Sequence, residues 1–120
     1  MSLNVITWKR SNLYSNNLDT TGVDDMVLGT GTITFNTDHC HSLKEKRKIT
    51  KSILTRVKNT YNVSIAEVGL NDMHNRARVG FAFVGNDRRR INSNIDKMLE
   101  FIDNLSIAEI VDTQVEIINI

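Results

Sequence analysis

From Met26 onward, the chain alternates apolar and polar residues with the two-residue period of β-strands in four places. The first is Val27 to Asn36, where glycines and apolar residues alternate with threonines. Val63 to Leu70 and Ala77 to Val84 are two further strands. In the last segment, 111–117, valine, threonine and isoleucine alternate with acidic and amide side chains, which predicts a strand with one solvated face.

Two segments with the period of amphipathic helices lie between these strands. The first begins after Ser42, which forms a capping box with Glu45, and ends at Tyr61. Its apolar residues share one broad face at about 100° per residue: Leu43, Ile49, Ile53, Leu54 and Val57. The second follows Asp87, a predicted N-cap. Its apolar stripe consists of Ile91, Ile95, Met98, Leu99 and Ile102.

The resulting βαββαβ order predicts an α+β, ferredoxin-like domain over residues 26–120. We expect a four-stranded antiparallel sheet with both helices on one face. Residues 1–25 show no sustained period, and we expect an N-terminal extension that is either disordered or adds an edge strand. They contain no apolar run long enough for a signal peptide or a membrane span, so we predict no membrane partner.

Composition removes several classes of protein. The 120 residues include no proline, which excludes proline-rich linkers and PxxP ligands. The single cysteine, Cys40, excludes an internal disulfide and suits a reducing compartment. We therefore predict a cytoplasmic protein, and no sequence motif calls for a cofactor.

The formal net charge of +1 conceals a strong asymmetry. Residues 43–58 carry seven basic side chains against Glu45 alone, whereas residues 91–120 carry six acidic side chains against Lys97 alone. Five of the basic residues fall within an arc of about 100° opposite the apolar face of the first helix: Lys44, Arg47, Lys48, Lys51 and Lys58. Such a stripe suits sequence-independent phosphate contacts, and we predict nucleic-acid binding there.

Arg88, Arg89 and Arg90 follow directly after the predicted cap of the second helix. Three cations in a first helical turn oppose the helix dipole, so acidic neighbours or a bound polyanion should offset them. The topology places them nearer Lys58 than the histidines. We therefore include them as supporting contacts of the nucleic-acid surface.

The same topology brings the loops 38–42 and 71–76 to one end of the sheet. That end collects every histidine and the only cysteine, and its weak candidates for a metal site are His39, Cys40, His41, Asp72 and His74. No recognised ligand spacing is present, so we predict no metal. A nucleophilic Cys40, assisted by a histidine and the helix N-terminus, is the alternative chemistry at this end.

Four short motifs carry a family resemblance. They are HSLKEKR at 41–47, VSIAEVG at 63–69, Arg76-Ala77 and VGND at 84–87. In this succession the chain resembles the YlxP-like family of small bacterial proteins of unknown function, from Met26 to about Ile120. The resemblance implies a ferredoxin-like fold. It also implies a cytoplasmic role around RNA or ribosomes, because genes of that family often lie among those for transcription, translation initiation and ribosome maturation.

These observations support three functional hypotheses. The first is a non-enzymatic RNA- or ribosome-associated accessory factor that binds phosphates through the basic helix face. The second is a homodimeric interaction module, because helices on one face leave the other sheet face without cover; its interface residues would be Val63, Ile65, Phe81 and Phe83. The third is a small hydrolase with a site in loops 38–42 and 71–76, which rests on fold analogy alone.

Overall fold

The computed structural model describes residues 26–120. The predicted N-terminal extension, 1–25, lies outside the described residues. The division of the chain at residue 25 therefore stays a prediction.

Six elements follow one another in the predicted order βαββαβ. They are β1 (Val27–Asn36), α1 (Leu43–Thr60), β2 (Ser64–Glu67), β3 (Arg76–Gly85), α2 (Arg88–Leu105) and β4 (Glu109–Asn119). The strands form one sheet in the order β2-β3-β1-β4, and every neighbouring pair is antiparallel. The α+β, ferredoxin-like prediction is confirmed.

Alternation along the strands decides which side chains form the core. In β3, Ala77, Val79, Phe81 and Phe83 are buried, and the residues between them are more exposed. They join one cluster with the apolar faces of both helices. The other side of the sheet, which we call the open face, carries the alternate residues of each strand. They are Ser64 and Ala66 of β2, Arg78, Gly80, Ala82 and Val84 of β3, Leu28, Thr30, Thr32 and Thr34 of β1, and Asp112, Gln114, Glu116 and Ile118 of β4.

Strand β2 is shorter than its sequence pattern indicates. The predicted strand runs from Val63 to Leu70, but the observed one ends at Glu67. Gly69 and Leu70 have φ angles of 67° and 52°. This left-handed backbone is incompatible with a strand, and a leucine adopts it rarely. The chain therefore leaves the sheet earlier than the run of apolar residues predicts.

Both helices begin where the capping signals place them. Ser42 Oγ accepts a hydrogen bond from Glu45 N at 3.2 Å. The Glu45 carboxylate accepts one from His41 N, so the reciprocal bond of the capping box reaches one residue further back than predicted. In α2, Asp87 Oδ1 accepts from Arg89 N at 2.9 Å and from Arg90 N at 3.3 Å. The N-cap predictions are confirmed.

Candidate functional site

The five predicted phosphate-binding residues lie on the exposed side of α1. Lys44, Arg47, Lys48, Lys51 and Lys58 are all exposed. The opposite side of the helix buries Ile53 and Val57 in the core. The five cations, which we call the α1 basic face, are spread over the 15 residues from Lys44 to Lys58, or about 21 Å of helix at a rise of 1.5 Å per residue.

No carboxylate neutralises the α1 basic face within residues 26–120. The ion pairs in this part of the chain are Lys46–Glu67 at 3.5 Å and Arg76–Asp38 at 3.3 Å, and neither involves the five cations. A solvated helix face is ordinarily mixed in charge, because Glu–Lys pairs three or four residues apart stabilise the helix. The five cations of this face have no such partner within residues 26–120.

Arg88–Arg90 differ from that face in their surroundings. Arg88 donates from Nη1 to Asn119 Oδ1 at 2.9 Å and to Ile117 O at 3.4 Å, so a neutral amide and a backbone carbonyl hold it against β4. One of the three arginines therefore has partners within the molecule, although neither partner is an acidic side chain. Arg89 and Arg90 are exposed, and their backbone N–H groups are satisfied by Asp87.

The packing of the two helices places the end of α1 beside the second half of α2. Tyr61, at the C-terminal end of α1, donates from its hydroxyl to Lys97 O at 3.1 Å and packs edge-on against Phe101 with ring centroids 5.6 Å apart. Phe101 is eleven residues beyond Arg90, which is about 16 Å along α2. The end of α1 therefore lies beside the second half of α2, so the contacts at Tyr61 do not extend the α1 basic face to Arg88–Arg90.

Lys46 is the residue whose role the sequence reasoning missed. It is one of the seven basic residues of segment 43–58, yet its side chain is completely buried. Nζ donates to Leu70 O at 2.8 Å and to Arg76 O at 3.1 Å, and lies 3.5 Å from Glu67 Oε2. The ammonium thus ties α1 to both ends of the β2–β3 connection. Its position on the helix indicates this burial, because Lys46 is about 200° around the helix from Lys44, on the apolar side.

The two loops of the alternative chemistry do meet at one end of the sheet. Thr37, at the end of β1, donates from N to Asn75 O at 3.0 Å and from Oγ1 to His74 O at 2.8 Å. The five weak metal candidates nevertheless do not converge. His39, His41, Asp72 and His74 are exposed. Within residues 26–120, no three His, Cys, Asp or Glu side chains form a group that could hold a metal ion.

Cys40 is buried, and only 2% of its surface is exposed. Burial raises the pKa of its thiol, with a smaller rise from the Glu45 carboxylate and a lowering by the Lys46 ammonium. A nucleophilic cysteine needs a thiolate at neutral pH and access to substrate. Cys40 has the opposite environment on both counts, so its surroundings favour a structural role over nucleophilic chemistry.

An open cleft of about 490 Å³ lies at the same end of the molecule. Its lining comes from the start of the β1–α1 loop and from the α2–β4 connection: Asn36, Asp38, His39, Asp103, Ser106, Ile107, Ala108 and Glu109. None of these residues belongs to the loop 71–76. The cleft therefore does not join the two loops that the hydrolase hypothesis needs together.

The four predicted interface residues do not line the open face. Ile65, Phe81 and Phe83 are each only 4% exposed and belong to the core beneath the helices, and Val63 is half-buried against that core. The prediction assigned these residues to the wrong side of the sheet, because alternation along a strand defines two faces without saying which one the helices cover. The open face carries small and polar residues instead.

These features define a class of protein: a ferredoxin-like α+β domain with one basic helix face. The family model described as a protein of unknown function (DUF503) matches residues 28–115, and the chain belongs to this family. The YlxP-like resemblance is confirmed by a relative from Bacillus subtilis (strain 168), named uncharacterized protein YlxP. It is 43% identical over 75 residues, which are 62% of this chain and 82% of the relative.

A solved structure of a de novo designed protein, Foldit4, also matches, with 18% sequence identity and a TM-score of 0.42. The match covers 79% of this chain and 96% of the designed one. In residues 26–120, neither helix is long and apolar enough to cross a membrane.

Proposed function

We propose that this protein is a non-enzymatic accessory factor that binds the phosphate backbone of RNA through the α1 basic face. The observation that carries the proposal is the set of five exposed cations on one arc of α1, without a carboxylate partner in residues 26–120. Lysine and arginine contact phosphates irrespective of base sequence, which suits a factor that recognises backbone rather than bases.

RNA is favoured over other polyanions by the implied association of YlxP-like genes with genes for translation and ribosome maturation. An RNA or ribosome partner also requires a cytoplasmic location, which is part of the proposal. Arg89 and Arg90 are supporting contacts in this proposal, because Arg90 lies about 10 Å along α2 from Lys97 and about 16 Å from Phe101, the two residues that contact the end of α1.

The test is RNA binding across a salt series with the full chain. Five phosphate contacts predict a slope of about −3.5 in a plot of log affinity against log salt for a single strand. In the variant Lys48→Glu/Lys51→Glu, the affinity should fall more than tenfold at low salt and the slope should shrink by about 1.4, since each lost contact removes about 0.7.

The matched control is Arg56→Glu/Lys97→Glu. It makes the same change in net charge at two exposed residues outside the α1 basic face. It should retain most of the binding. Equal losses in both variants would show that net charge alone drives binding, and absence of binding at low salt would refute the proposal.

A further inference from the structure

The open face of the sheet is divided into two halves on either side of β1. Register relates the halves row by row, because residues paired across strands lie side by side on one face. Thr34 of β1 has Arg78 on one side and Asp112 on the other. The next row has Gly80, Thr32 and Gln114, and the one after has Ala82, Thr30 and Glu116.

The two halves differ in charge. Arg78 is half-buried, and its Nε donates to Thr34 Oγ1 at 3.3 Å, so its side chain lies over β1 on the open face. Neither Arg78 nor Asp112 or Glu116 takes part in an ion pair within residues 26–120. A partly desolvated guanidinium without a carboxylate is therefore found on the β3 side, and unpaired carboxylates are found on the β4 side.

The two halves also differ in height. On the β2–β3 side, Ser64, Ala66, Gly80 and Ala82 form a shallow trough of small residues, which the exposed side chain of Val68 bounds beside Gly80. On the β4 side, the long side chains of Gln114 and Glu116 form a ridge, and both are exposed. The last row of the face is apolar: Val84, which is 66% exposed, Leu28 and Ile118.

We propose that the open face binds a second copy of this chain, with the two-fold axis running along β1. Rotation about that axis lays the β4 half of one copy over the β3 half of the other and keeps the rows in register. Arg78 then faces Asp112 of the second copy, the Gln114–Glu116 ridge enters the trough, and the apolar rows stack. Every contact occurs twice, as an isologous interface requires.

The alternative two-fold axis, perpendicular to the strands, gives a worse fit. It reverses the order of the rows, so that Asp112 faces Glu116 of the other copy and the ridge meets the ridge. Like charges placed opposite each other are destabilising. The distribution of charge and size thus selects one of the two face-to-face arrangements.

The area of the overlap suits a weak, reversible dimer. Rotation about β1 places β3, β1 and β4 of one copy over β4, β1 and β3 of the other, so β2 lies outside the overlap. Three strands at about 4.8 Å spacing and about 34 Å in length give roughly 490 Å² per copy. Two copies bury about 1,000 Å², which is in the range of weak or transient interfaces. We therefore expect a dimer that dissociates on dilution.

The first test measures self-association of the full chain by sedimentation velocity, with a charge exchange across the interface. Arg78→Asp and Asp112→Arg should each weaken the dimer about tenfold or more, since each replaces two attractive pairs by two repulsive ones. The double variant Arg78→Asp/Asp112→Arg should recover the affinity. Glu100→Arg, an equal charge change at an exposed residue of α2, should leave it unchanged.

The second test identifies the axis with conservative cysteine variants and a short bis-maleimide cross-linker. Facing sheets lie about 10 Å apart, beyond the reach of a disulfide. Thr30→Cys lies on the proposed axis and should cross-link its own copy. Gln114→Cys should not, because two strand spacings of about 4.8 Å separate its two copies laterally. The unsubstituted chain is the blank, since Cys40 is buried.

Three results would overturn the proposal. One is a chain that remains monomeric at about 500 µM, a concentration at which a dimer with a dissociation constant below about 100 µM would be populated. Another is a dimer whose affinity is indifferent to both single charge reversals. The third is cross-linking at Gln114→Cys with none at Thr30→Cys, which would indicate the perpendicular axis.

Discussion

The two helices are equal in length and differ in how they are held. Each has 18 residues, a side-chain N-cap and four buried positions. In α2 the buried residues are all apolar: Ile91, Ile95, Met98 and Ile102. In α1 they are Lys46, Thr50, Ile53 and Val57, so half of the inner face is polar. Hydrophobic packing holds α2 on the sheet, whereas α1 is held by apolar contacts and by a buried ammonium group.

The contacts of the helices follow the same division. Helix α2 packs on β1, β3 and β4, and α1 packs chiefly on β2 and on α2. The outer surfaces differ as well, because α1 presents lysines and arginines and the second half of α2 presents Asp96, Glu100 and Asp103. One helical layer of a small fold can thus supply both a central hydrophobic support and a peripheral charged surface.

The largest expected effect is the loss of the Lys46 anchor. Lys46→Met keeps the aliphatic stem but leaves Leu70 O, Arg76 O and the Glu67 carboxylate without the ammonium. We expect a loss of about 3 kcal/mol in the free energy of unfolding. Denaturant titration measures it, and amide exchange near residues 68–76 should accelerate. Lys48→Met, on the exposed side, should change stability by less than about 0.5 kcal/mol. Equal effects of the two substitutions would contradict the anchoring role.

A smaller effect is expected where α2 approaches β1. A Cβ at Gly29 would overlap Ile91 Cγ2 and come within 3.0 Å of Ile95 Cδ1. Gly29→Ala should therefore lower the free energy of unfolding by about 2 kcal/mol through overpacking. Gly80→Ala is the matched control on the open face, where the new Cβ would meet only Val68 methyls, at 3.4 Å and 3.5 Å, among side chains. Thermal unfolding should show a larger loss of stability for Gly29→Ala than for Gly80→Ala. The reverse order would show that α2 can shift away from β1 to accommodate the added methyl group.

The smallest effect concerns the caps. Ser42→Ala should cost about 1 kcal/mol, and Asp87→Ala somewhat more, because Asp87 caps two N–H groups and its charge offsets three arginines in the first turn. Only the electrostatic part is screened by salt. The excess cost at Asp87 should accordingly shrink in about 1 M salt, where the Debye length is about 3 Å. A salt-independent excess would attribute it to hydrogen bonding alone.

Periodicity predicts most of the fold, because local side-chain spacing is a direct consequence of helix and strand geometry. The bounds of β1 agree with its pattern, and Ser42 and Asp87 mark both helix starts. Two predictions are wrong: the end of β2, and the side of the sheet on which Phe81 and Phe83 lie. The end of β2 depends on the left-handed backbone at Gly69 and Leu70, which the glycine indicates but the leucine does not. The positions of Phe81 and Phe83 beneath the helices depend on which sheet face is covered, and this is a tertiary choice.

The candidate site shows the same limit. The exposure of Lys48 and Lys51 follows from helical phase, and so does the burial of Lys46, although its charge hid that signal. The lack of partners for Arg78 and Asp112 could not be predicted, because it requires the register of three strands. Sequence spacing therefore predicts features within a single helix or strand. Contacts between elements can be seen only in the structure.

Within residues 26–120 the chain has a separated charge distribution, because α1, with its lysines and arginines, lies over the β2 edge and β4, with its carboxylates, forms the opposite edge. Its charges sum almost to zero, yet three strand spacings, or about 14 Å, separate the positive edge from the negative one. Such a molecule experiences little net force near a polyanion but a torque that turns α1 toward it. Its first encounters with an anionic surface would be oriented before any contact forms.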